Sequence, residues 1–343
     1  MKTLTIAVLY GGKSTEHEVS VHSAGDVCKE LQKKHKILPI FISKNGQWFL
    51  QKACGFKTKN DIEIYPQVNG ILLTKNGKKH KADLFFPVLH GTFGEDGCVQ
   101  GLFETLGVKY VGCKVLASAL AMSKELSKEI SISADIPVLP WFSLNKNEKL
   151  DKKIILQNAK KLCYPIFVKP NSLGSSVGIT KVKREAELLP AIKKAFEFED
   201  HILVEKGLDN AREVFCAIIE TAPGVFKTSA CGELIKSDSE FFDYETKYHN
   251  PHGCDMDIPA KLPKKLQTKL QEYTQKFFRA LGGTGLSRVD FLISQDGKKA
   301  YFSEINTIPG LSRTSLFPNL LKEEGLPYSK QLDILIKTAL TRG

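Results

Sequence analysis

Continuous apolar runs alternate with helical apolar spacing along the first third of the chain. Residues 4–10 form a continuous apolar run, which is typical of a parallel strand buried on both faces. Residues 20–33 carry apolar side chains every three or four positions and are predicted to form a helix. Further strands are predicted at residues 35–42, 82–89 and 108–110. The pattern predicts an open parallel sheet, in which ligands lie at the carboxyl ends of the strands.

The pattern changes near Gly112, where a second unit is predicted to begin. A helix over residues 115–130 precedes three short strands and another helix, which together indicate a small α+β domain. Longer strands follow, and a polar loop of unusual length, residues 236–256, interrupts them. The predicted fold class is therefore α/β (α+β) with three domains, over residues 1–112, 113–205 and 206–343.

Composition agrees with this organisation. The 343 residues are 42% hydrophobic and 25% charged, which is ordinary for a globular chain with two or three cores. No stretch of about 18 apolar residues is present, so we expect no membrane span. The apolar run at residues 4–10 is too short for a signal peptide. We expect a cytoplasmic protein.

The net charge of +11 raises the question of an anionic partner. The lysines are spread along the chain and form no arm or block, which favours a basic surface with local anion sites over nucleic-acid binding. Eight scattered cysteines without a C-x-x-C pair are expected to be free thiols in a reducing compartment. Zinc is not expected, because His249 and His252 lie near only one cysteine, Cys254.

Chemistry is concentrated in two predicted strands, at residues 285–293 and 299–305, that flank a turn. Alternation places Arg288 and Asp290 on one face of the first strand, and Glu304 and Asn306 share a face at the end of the second. If the strands pair, the four groups converge. Two carboxylates and an amide oxygen suit Mg²⁺, which takes few protein ligands plus phosphate oxygens. The alternative is a surface salt bridge from Arg288 to a carboxylate.

A second candidate site is the Gly/Ser-rich loop that follows Lys169 and ends at Gly178. Such a loop between strands can cover phosphates with backbone N–H groups, and the lysine adds a point charge. A plain turn is the alternative. The run 11–15, Gly-Gly-Lys-Ser-Thr, is not a Walker motif, because that pattern needs glycine where Ala7 stands.

Three polar residues remain ambiguous from spacing alone. Glu16 and Glu18 begin a predicted helix, where they suit capping as well as ligand contact. His90 follows an apolar strand, so a structural and a functional role are both open. The run 241–248 is too aromatic for a solvated loop, and it either packs as a small core or closes over a ligand as a lid.

Six segments in register carry a family resemblance: residues 11–20, 90–97, 169–178, 243–248, 287–290 and 304–310. Together they resemble the D-alanine–D-alanine ligases of the ATP-grasp superfamily, and the match runs through nearly the whole chain. The resemblance implies a three-domain ATP-grasp fold with ATP between the central and C-terminal domains. Ser123 and Gly207 depart from the family pattern. The residues that the resemblance assigns to ATP are Lys124, Lys169, Ser176, Glu205, Leu208, Glu213 and Lys247.

The resemblance also implies a two-step reaction, with an acyl phosphate formed from the first D-alanine and attacked by the amine of the second. It implies that the protein is a homodimer and that its product enters peptidoglycan synthesis. Two Mg²⁺ or Mn²⁺ ions would be held by Asp290, Glu304 and Asn306. The catalytic set would be Glu16, Ser175, Tyr248, Arg288 and Gly310, and the substrate set His90, Ser315 and Leu316.

Two other interpretations compete with this hypothesis. Another ATP-grasp ligase with a different acceptor would keep the same motifs. A non-catalytic nucleotide-binding regulator would keep the fold but would be expected to lose Glu304 or Arg288, and both are present. Lys247 and Tyr248 favour the dipeptide-forming type, since relatives that accept D-lactate carry other residues there.

Overall fold

The computed structural model describes residues 2–236 and 254–342. Its first sheet has seven strands: β1 (Thr5–Gly11), β2 (Lys36–Ile42), β3 (Trp48–Leu50), β4 (Ile62–Pro66), β5 (Ile71–Thr74), β6 (Lys79–Lys81) and β7 (Leu84–Pro87). Their order is β6-β5-β4-β3-β2-β1-β7. The predicted parallel part is confirmed, because β1 lies parallel between β2 and β7. Strands β3–β6 add an antiparallel extension that the apolar pattern did not predict.

Two helices accompany this sheet, α1 (His17–Leu31) and α2 (Cys98–Thr105). The predicted strand at residues 108–110 is only a single bridge from Tyr110 to Phe85. Cys28 on α1 forms a disulfide with Cys54, so the expectation that all eight cysteines are free thiols was wrong. The two residues are 26 positions apart, and no sequence motif pairs them.

The central region contains a four-stranded antiparallel sheet and four helices. The predicted helix over residues 115–130 is two helices, because Ser123 leaves helical geometry and caps the second through a hydrogen bond from the Leu126 N–H of 3.3 Å. The elements are α3 (Val115–Met122), α4 (Lys124–Ser133), β8 (Trp141–Asn145), α5 (Lys152–Leu162), β9 (Ile166–Pro170), β10 (Thr180–Val182), α6 (Leu188–Ala195) and β11 (His201–Lys206). The order of the strands in the sheet is β10-β9-β11-β8.

The third sheet is antiparallel. The elements of this part of the chain are β12 (Arg212–Ala222), β13 (Val225–Lys236), β14 (Cys254–Asp257), α7 (Lys264–Ala280), β15 (Leu286–Ile293), β16 (Ala300–Asn306), α8 (Leu316–Glu323) and α9 (Tyr328–Thr341). The sheet order is β14-β13-β12-β15-β16. The hairpin predicted around Asp296-Gly297 is confirmed by the pairing of β15 with β16.

Strand β12 shows how the third sheet is held. Phe215, Ala217 and Ile219 point into a core shared with β1, α1 and α9, whereas the alternate residues point into a core with α7. The N-terminal and third sheets therefore share one hydrophobic core. This fixes the carboxyl end of β1 relative to the β15–β16 hairpin. No helix among residues 2–236 and 254–342 is long and apolar enough to cross a membrane.

Candidate active site

The β15–β16 hairpin brings the four predicted polar residues together. Arg288 lies opposite Asn306, and Asp290 lies opposite Glu304. Arg288 donates two hydrogen bonds to Asp290, from Nε to Oδ1 at 2.7 Å and from Nη2 to Oδ2 at 2.6 Å. The predicted ion pair is thus present, but it is no surface salt bridge, since the side chains are 19% and 10% exposed. Asn306 Nδ2 lies 3.4 Å from Asp290 Oδ2.

The donor set of this hairpin fits a hard divalent cation. Carboxylate and amide oxygens from facing strand positions are ligands that Mg²⁺ or Mn²⁺ accepts. Within the described part of the chain, no group of three His, Cys, Asp or Glu side chains could hold a metal. An ion here would therefore complete its coordination with groups other than protein carboxylates, such as phosphate oxygens.

Two lysines from the central region point toward the same hairpin. The Lys124 ammonium donates to the Leu173 carbonyl at 2.6 Å, and burial lowers the pKa of Lys124 although the Glu304 carboxylate acts to raise it. Lys169 Nζ lies 2.5 Å from Glu205 Oε2. Burial acts to lower the pKa of Lys169, but the Glu205 carboxylate raises it above its usual value. Both lysines thus occupy sites that suit anionic ligands.

Glu205 lies between two ammonium groups. Its second oxygen accepts a hydrogen bond from Lys128, a buried residue that the sequence analysis missed. Although burial opposes ionisation, Lys128 and Lys169 lower the pKa of Glu205 to about 2. Glu205, which the resemblance assigns to ATP, is therefore the counter-ion of two lysines in this structure. The signal available in the sequence was the position of Lys128 four residues after Lys124 on a predicted helix, which places the two lysines on one face of that helix.

The loop from Lys169 to Gly178 is held in an uncommon backbone conformation. Ser175 and Ser176 have φ angles of 51° and 60°, which few residues other than glycine adopt. Ser175 Oγ donates a hydrogen bond of 2.6 Å to Glu16 Oε1, across 159 residues of sequence. Outliers of this kind persist where the surroundings hold them, and they are common at ligand-binding loops.

The structure separates the two acidic residues at the start of α1. Glu18 pairs with Lys44 at 2.7 Å on the surface. Glu16 stands at the N-cap position, yet its side chain caps no N–H group and reaches the loop over the central sheet. The ambiguity is resolved in favour of a site position for Glu16 and a surface position for Glu18.

His90 is buried between the N-terminal sheet and the segment after β16. Its Nδ1 lies 2.8 Å from the Ile308 carbonyl, which requires a proton on that nitrogen, and Nε2 lies 3.4 Å from Ser23 Oγ. Burial lowers the pKa of His90, so the neutral ring dominates at pH 7. The imidazole links β7 to the segment after β16.

Glu95 is a second site residue that the sequence analysis did not single out. Its carboxyl oxygens accept hydrogen bonds of 2.8 Å each from the Gly91 and Ile308 N–H groups. Burial, together with the negative charge of Glu16, raises the pKa of Glu95 to about 8. The residue lies inside the 90–97 segment, but no spacing rule indicates that a loop glutamate will be buried.

Two residues of the predicted substrate set, Ser315 and Leu316, lie after β16. Ser315 Oγ accepts a hydrogen bond of 3.1 Å from the Ser312 N–H. Ser315 is the N-cap residue of α8, and Leu316 is the first residue of that helix. A Cβ atom on Gly310 would lie 2.8 Å from Ser315 Oγ and 3.2 Å from Ser315 Cβ, so a larger residue at position 310 would displace the Ser315 side chain. The turn holds the Gly310 backbone against Ser315.

One cleft collects residues from all three parts of the chain. It is lined by Glu16, Gly91 and Glu95, by Lys124, Gly174 and Ser175, and by Glu304, Ile305, Asn306 and Thr307.

Of the predicted site residues, Glu16, Lys124, Ser175, Glu304 and Asn306 line this cleft. The other predicted residues within the described part of the chain do not line it: His90, Lys169, Ser176, Glu205, Leu208, Glu213, Arg288, Asp290, Gly310, Ser315 and Leu316. Glu213 on β12 lies close enough for its charge to raise the pKa of Lys169, and Leu208 lies in the connection between β11 and β12. Lys247 and Tyr248, with most of the predicted lid, fall outside the described residues.

Comparison with known proteins agrees with this geometry. Residues 5–113 match the family model for the D-ala D-ala ligase N-terminus, and residues 130–337 match the model for the D-ala D-ala ligase C-terminus. The chain is 40% identical to a D-alanine–D-alanine ligase of Caldicellulosiruptor bescii, with 100% of this chain and 96% of the relative covered. It is 40% identical to the enzyme of that name from Treponema denticola, with 99% and 96% covered.

Two solved structures share the architecture. The D-alanine–D-alanine ligase from Coxiella burnetii superposes with a TM-score of 0.87 at 32% identity, covering 99% of this chain and 94% of that one. The VanG D-Ala:D-Ser ligase from Enterococcus faecalis superposes with a TM-score of 0.85 at 34% identity, covering 98% and 100%. The same fold therefore accompanies two different acceptors among its relatives.

Proposed function

The chain belongs to the D-alanine–D-alanine ligase family, and on that premise we propose that it joins two D-alanine molecules with ATP. The product, D-alanyl-D-alanine, serves peptidoglycan precursor synthesis. The observation that carries the proposal is the shared cleft, in which Glu16, Lys124 and Glu304 meet from three separate parts of the chain. A carboxylate for an ammonium group, a lysine for phosphate and a cation ligand are the groups that this reaction needs.

In the first step the carboxylate of one D-alanine attacks the γ-phosphorus of ATP, and ADP leaves with the electrons of the broken P–O bond. In the second step the amine of the other D-alanine attacks the acyl phosphate carbonyl. Inorganic phosphate leaves, and the amine loses a proton. Negative charge develops on phosphoryl and tetrahedral oxygens, so cations and N–H donors contribute more than a nucleophilic side chain.

The nucleotide would lie between the central and third sheets. Lys124 and Lys169 would contact its phosphates, and the backbone of the loop at Ser176 would cover them. The remaining positions in the proposed nucleotide site are Glu205, Leu208, Glu213 and Lys247.

Asp290, Glu304 and Asn306 would hold two Mg²⁺ or Mn²⁺ ions. When bound, these ions would neutralise charge on the phosphate oxygens. The bidentate bond between Arg288 and Asp290 fixes the guanidinium group beside this position.

The amino-acid substrates would occupy the side of the cleft next to the N-terminal sheet. Glu16 would bind the ammonium group of the first D-alanine, with Ser175 and Tyr248 joining it to the lid, and His90 would lie near the carboxylate. Arg288 and the Gly310 N–H would stabilise the tetrahedral oxygen. Ser315 and Leu316 would contact the carboxylate of the second D-alanine.

We also propose a three-domain division at residues 112 and 205, a homodimeric assembly and a cytoplasmic location, where ATP is available. The core shared by the first and third sheets supports a fixed arrangement of these two sheets. A light-scattering measurement of the molar mass tests the homodimer.

A phosphate-release assay with D-alanine as the sole amino acid tests the function. We expect one ADP, one phosphate and one D-alanyl-D-alanine per cycle, with the product identified by mass spectrometry. Parallel reactions with D-alanine plus D-serine, and with D-alanine plus D-lactate, compare acceptors. No phosphate release with D-alanine alone, but release with either mixture, would reject the dipeptide assignment and support a mixed ligase.

A further inference from the structure

Glu205, Lys128 and Lys169 form a buried charge triad in the central region. Lys128 and Glu205 are 2% and 3% exposed, and each oxygen of the carboxylate accepts a hydrogen bond from one lysine. One negative and two positive charges leave the triad with a net charge of +1. Removing these charged groups from water costs free energy that their mutual pairing offsets only in part, so stability alone does not explain the triad.

The three residues differ in the exposed fraction of their side chains. Lys169 ends β9, and its side chain is 17% exposed, on the same sheet face as Glu205 of the neighbouring strand. Lys128 lies one helical turn after Lys124 on α4, and burial lowers its pKa. Lys128 is therefore closed off from solvent and contacts one oxygen of the carboxylate, whereas Lys169 contacts the other oxygen and keeps part of its side chain exposed.

We propose that Lys128 is a positioning residue that neutralises Glu205 and so lets Lys169 present its positive charge to the nucleotide phosphates. The inference rests on the proposed function, because it assumes a nucleotide in this cleft. With Lys128 in place, the Lys169 ammonium group can donate hydrogen bonds to phosphate while Lys128 still pairs with the buried Glu205 carboxylate. Without Lys128, Lys169 and Glu205 form a neutral pair, and withdrawing Lys169 strips Glu205 of its last cation.

Binding of ADP with magnesium chloride and of adenosine to the full chain tests this role by calorimetry. We expect Lys128→Met to weaken ADP binding about tenfold and adenosine binding less than twofold, because adenosine has no phosphate for Lys169. A purely structural role for Lys128 would weaken both ligands equally. Lys153→Met, which removes an exposed lysine from α5 of the same region, is expected to change neither affinity.

A second background separates charge neutralisation from other effects. In Glu205→Gln the anion is absent, so adding Lys128→Met is expected to change ADP affinity less than twofold. This comparison also decides the matter if Lys128→Met alone does not fold. A tenfold loss in the Glu205→Gln background, or equal ADP affinity for Lys128→Met and the unmodified chain, would overturn the proposal. Failure of the unmodified chain to bind ADP would instead reject the proposed function.

Discussion

Ser175 of the central loop donates a hydrogen bond of 2.6 Å to Glu16 at the start of α1. This contact joins the loop that would cover phosphate to the carboxylate that would bind the first substrate. Both residues line the same cleft, so the hydrogen bond orients the Glu16 carboxylate from one side while the N-terminal sheet positions it from the other. The proposed nucleotide and amino-acid parts of the site are therefore in direct contact through this hydrogen bond.

Removing this hydrogen bond should impair use of D-alanine. We expect Ser175→Ala to lower kcat/KM for D-alanine about ten- to 100-fold, because a hydrogen bond to a charged group contributes about 1.5 to 3 kcal/mol. Steady-state phosphate release at varied D-alanine measures the effect. Ser133→Ala, at an exposed position on α4, is the matched control and should leave the kinetics unchanged. Equal kinetics for Ser175→Ala and the unmodified chain would contradict the orienting role.

Glu304 tests the proposed cation site. We expect Glu304→Gln to fold normally and to lose more than about 100-fold in dipeptide formation, because an amide keeps the shape of the carboxylate but not its charge. Circular dichroism checks the fold, and chromatography of D-alanyl-D-alanine checks the activity. Glu323→Gln, at an exposed position, should retain full activity. Full activity in Glu304→Gln would remove Glu304 from the cation site.

Glu95 predicts a pH dependence of stability. Its pKa is raised from 4.5 to about 8 in the folded chain, so the folded state binds the proton more tightly than the unfolded state does. The resulting stability is fully present below pH 4.5 and is lost as the pH rises toward 8. We expect the free energy of unfolding to fall on the order of 2 kcal/mol between pH 6 and pH 8.5 from this group.

Urea denaturation of Glu95→Gln across the same pH range isolates that contribution. The variant should be less stable at every pH, because an amide cannot accept both the Gly91 and Ile308 hydrogen bonds, but its stability should vary less with pH. Glu18→Gln, which alters an exposed carboxylate, should keep the slope of the unmodified chain. An unchanged slope in Glu95→Gln would show that other groups set the pH dependence.

Tyr248 tests acceptor choice. The resemblance implies that Tyr248→Phe raises the ratio of D-alanyl-D-lactate to D-alanyl-D-alanine when both acceptors are supplied. Product analysis by mass spectrometry measures the ratio, and Tyr244→Phe in the same segment is the control. The same ratio in both variants would exclude the Tyr248 hydroxyl from acceptor selection.

Much of the site was predictable because its motifs are local. The Arg288–Asp290 and Glu304–Asn306 spacings place each pair on one face of a strand, and Asp296-Gly297 between the strands supplies a turn. The lysine at the end of β9 and the glycine-rich loop after it also follow from the order of residues. Such features depend on neighbours within about ten positions, which the chain itself displays.

The features that the sequence analysis did not predict depend mainly on contacts between residues distant along the chain. Strands β3–β6 have three to five residues each, too few for a clear apolar alternation, and the Cys28–Cys54 disulfide joins positions that no motif connects. Ser123 ended a helix that apolar spacing alone would have continued to residue 130. In each case the deciding contact was made by residues distant in sequence or by a single capping side chain.

By itself the sequence determined the α/β organisation, the hairpin with its converging polar side chains and the family to which the chain belongs. Tertiary structure alone decided which charged groups are buried together. Lys128 joins Glu205 across 77 residues, and Glu95 receives an N–H from Ile308 across 213. The free energy of a buried charge depends on what surrounds it in space, and the linear order of residues does not contain that information.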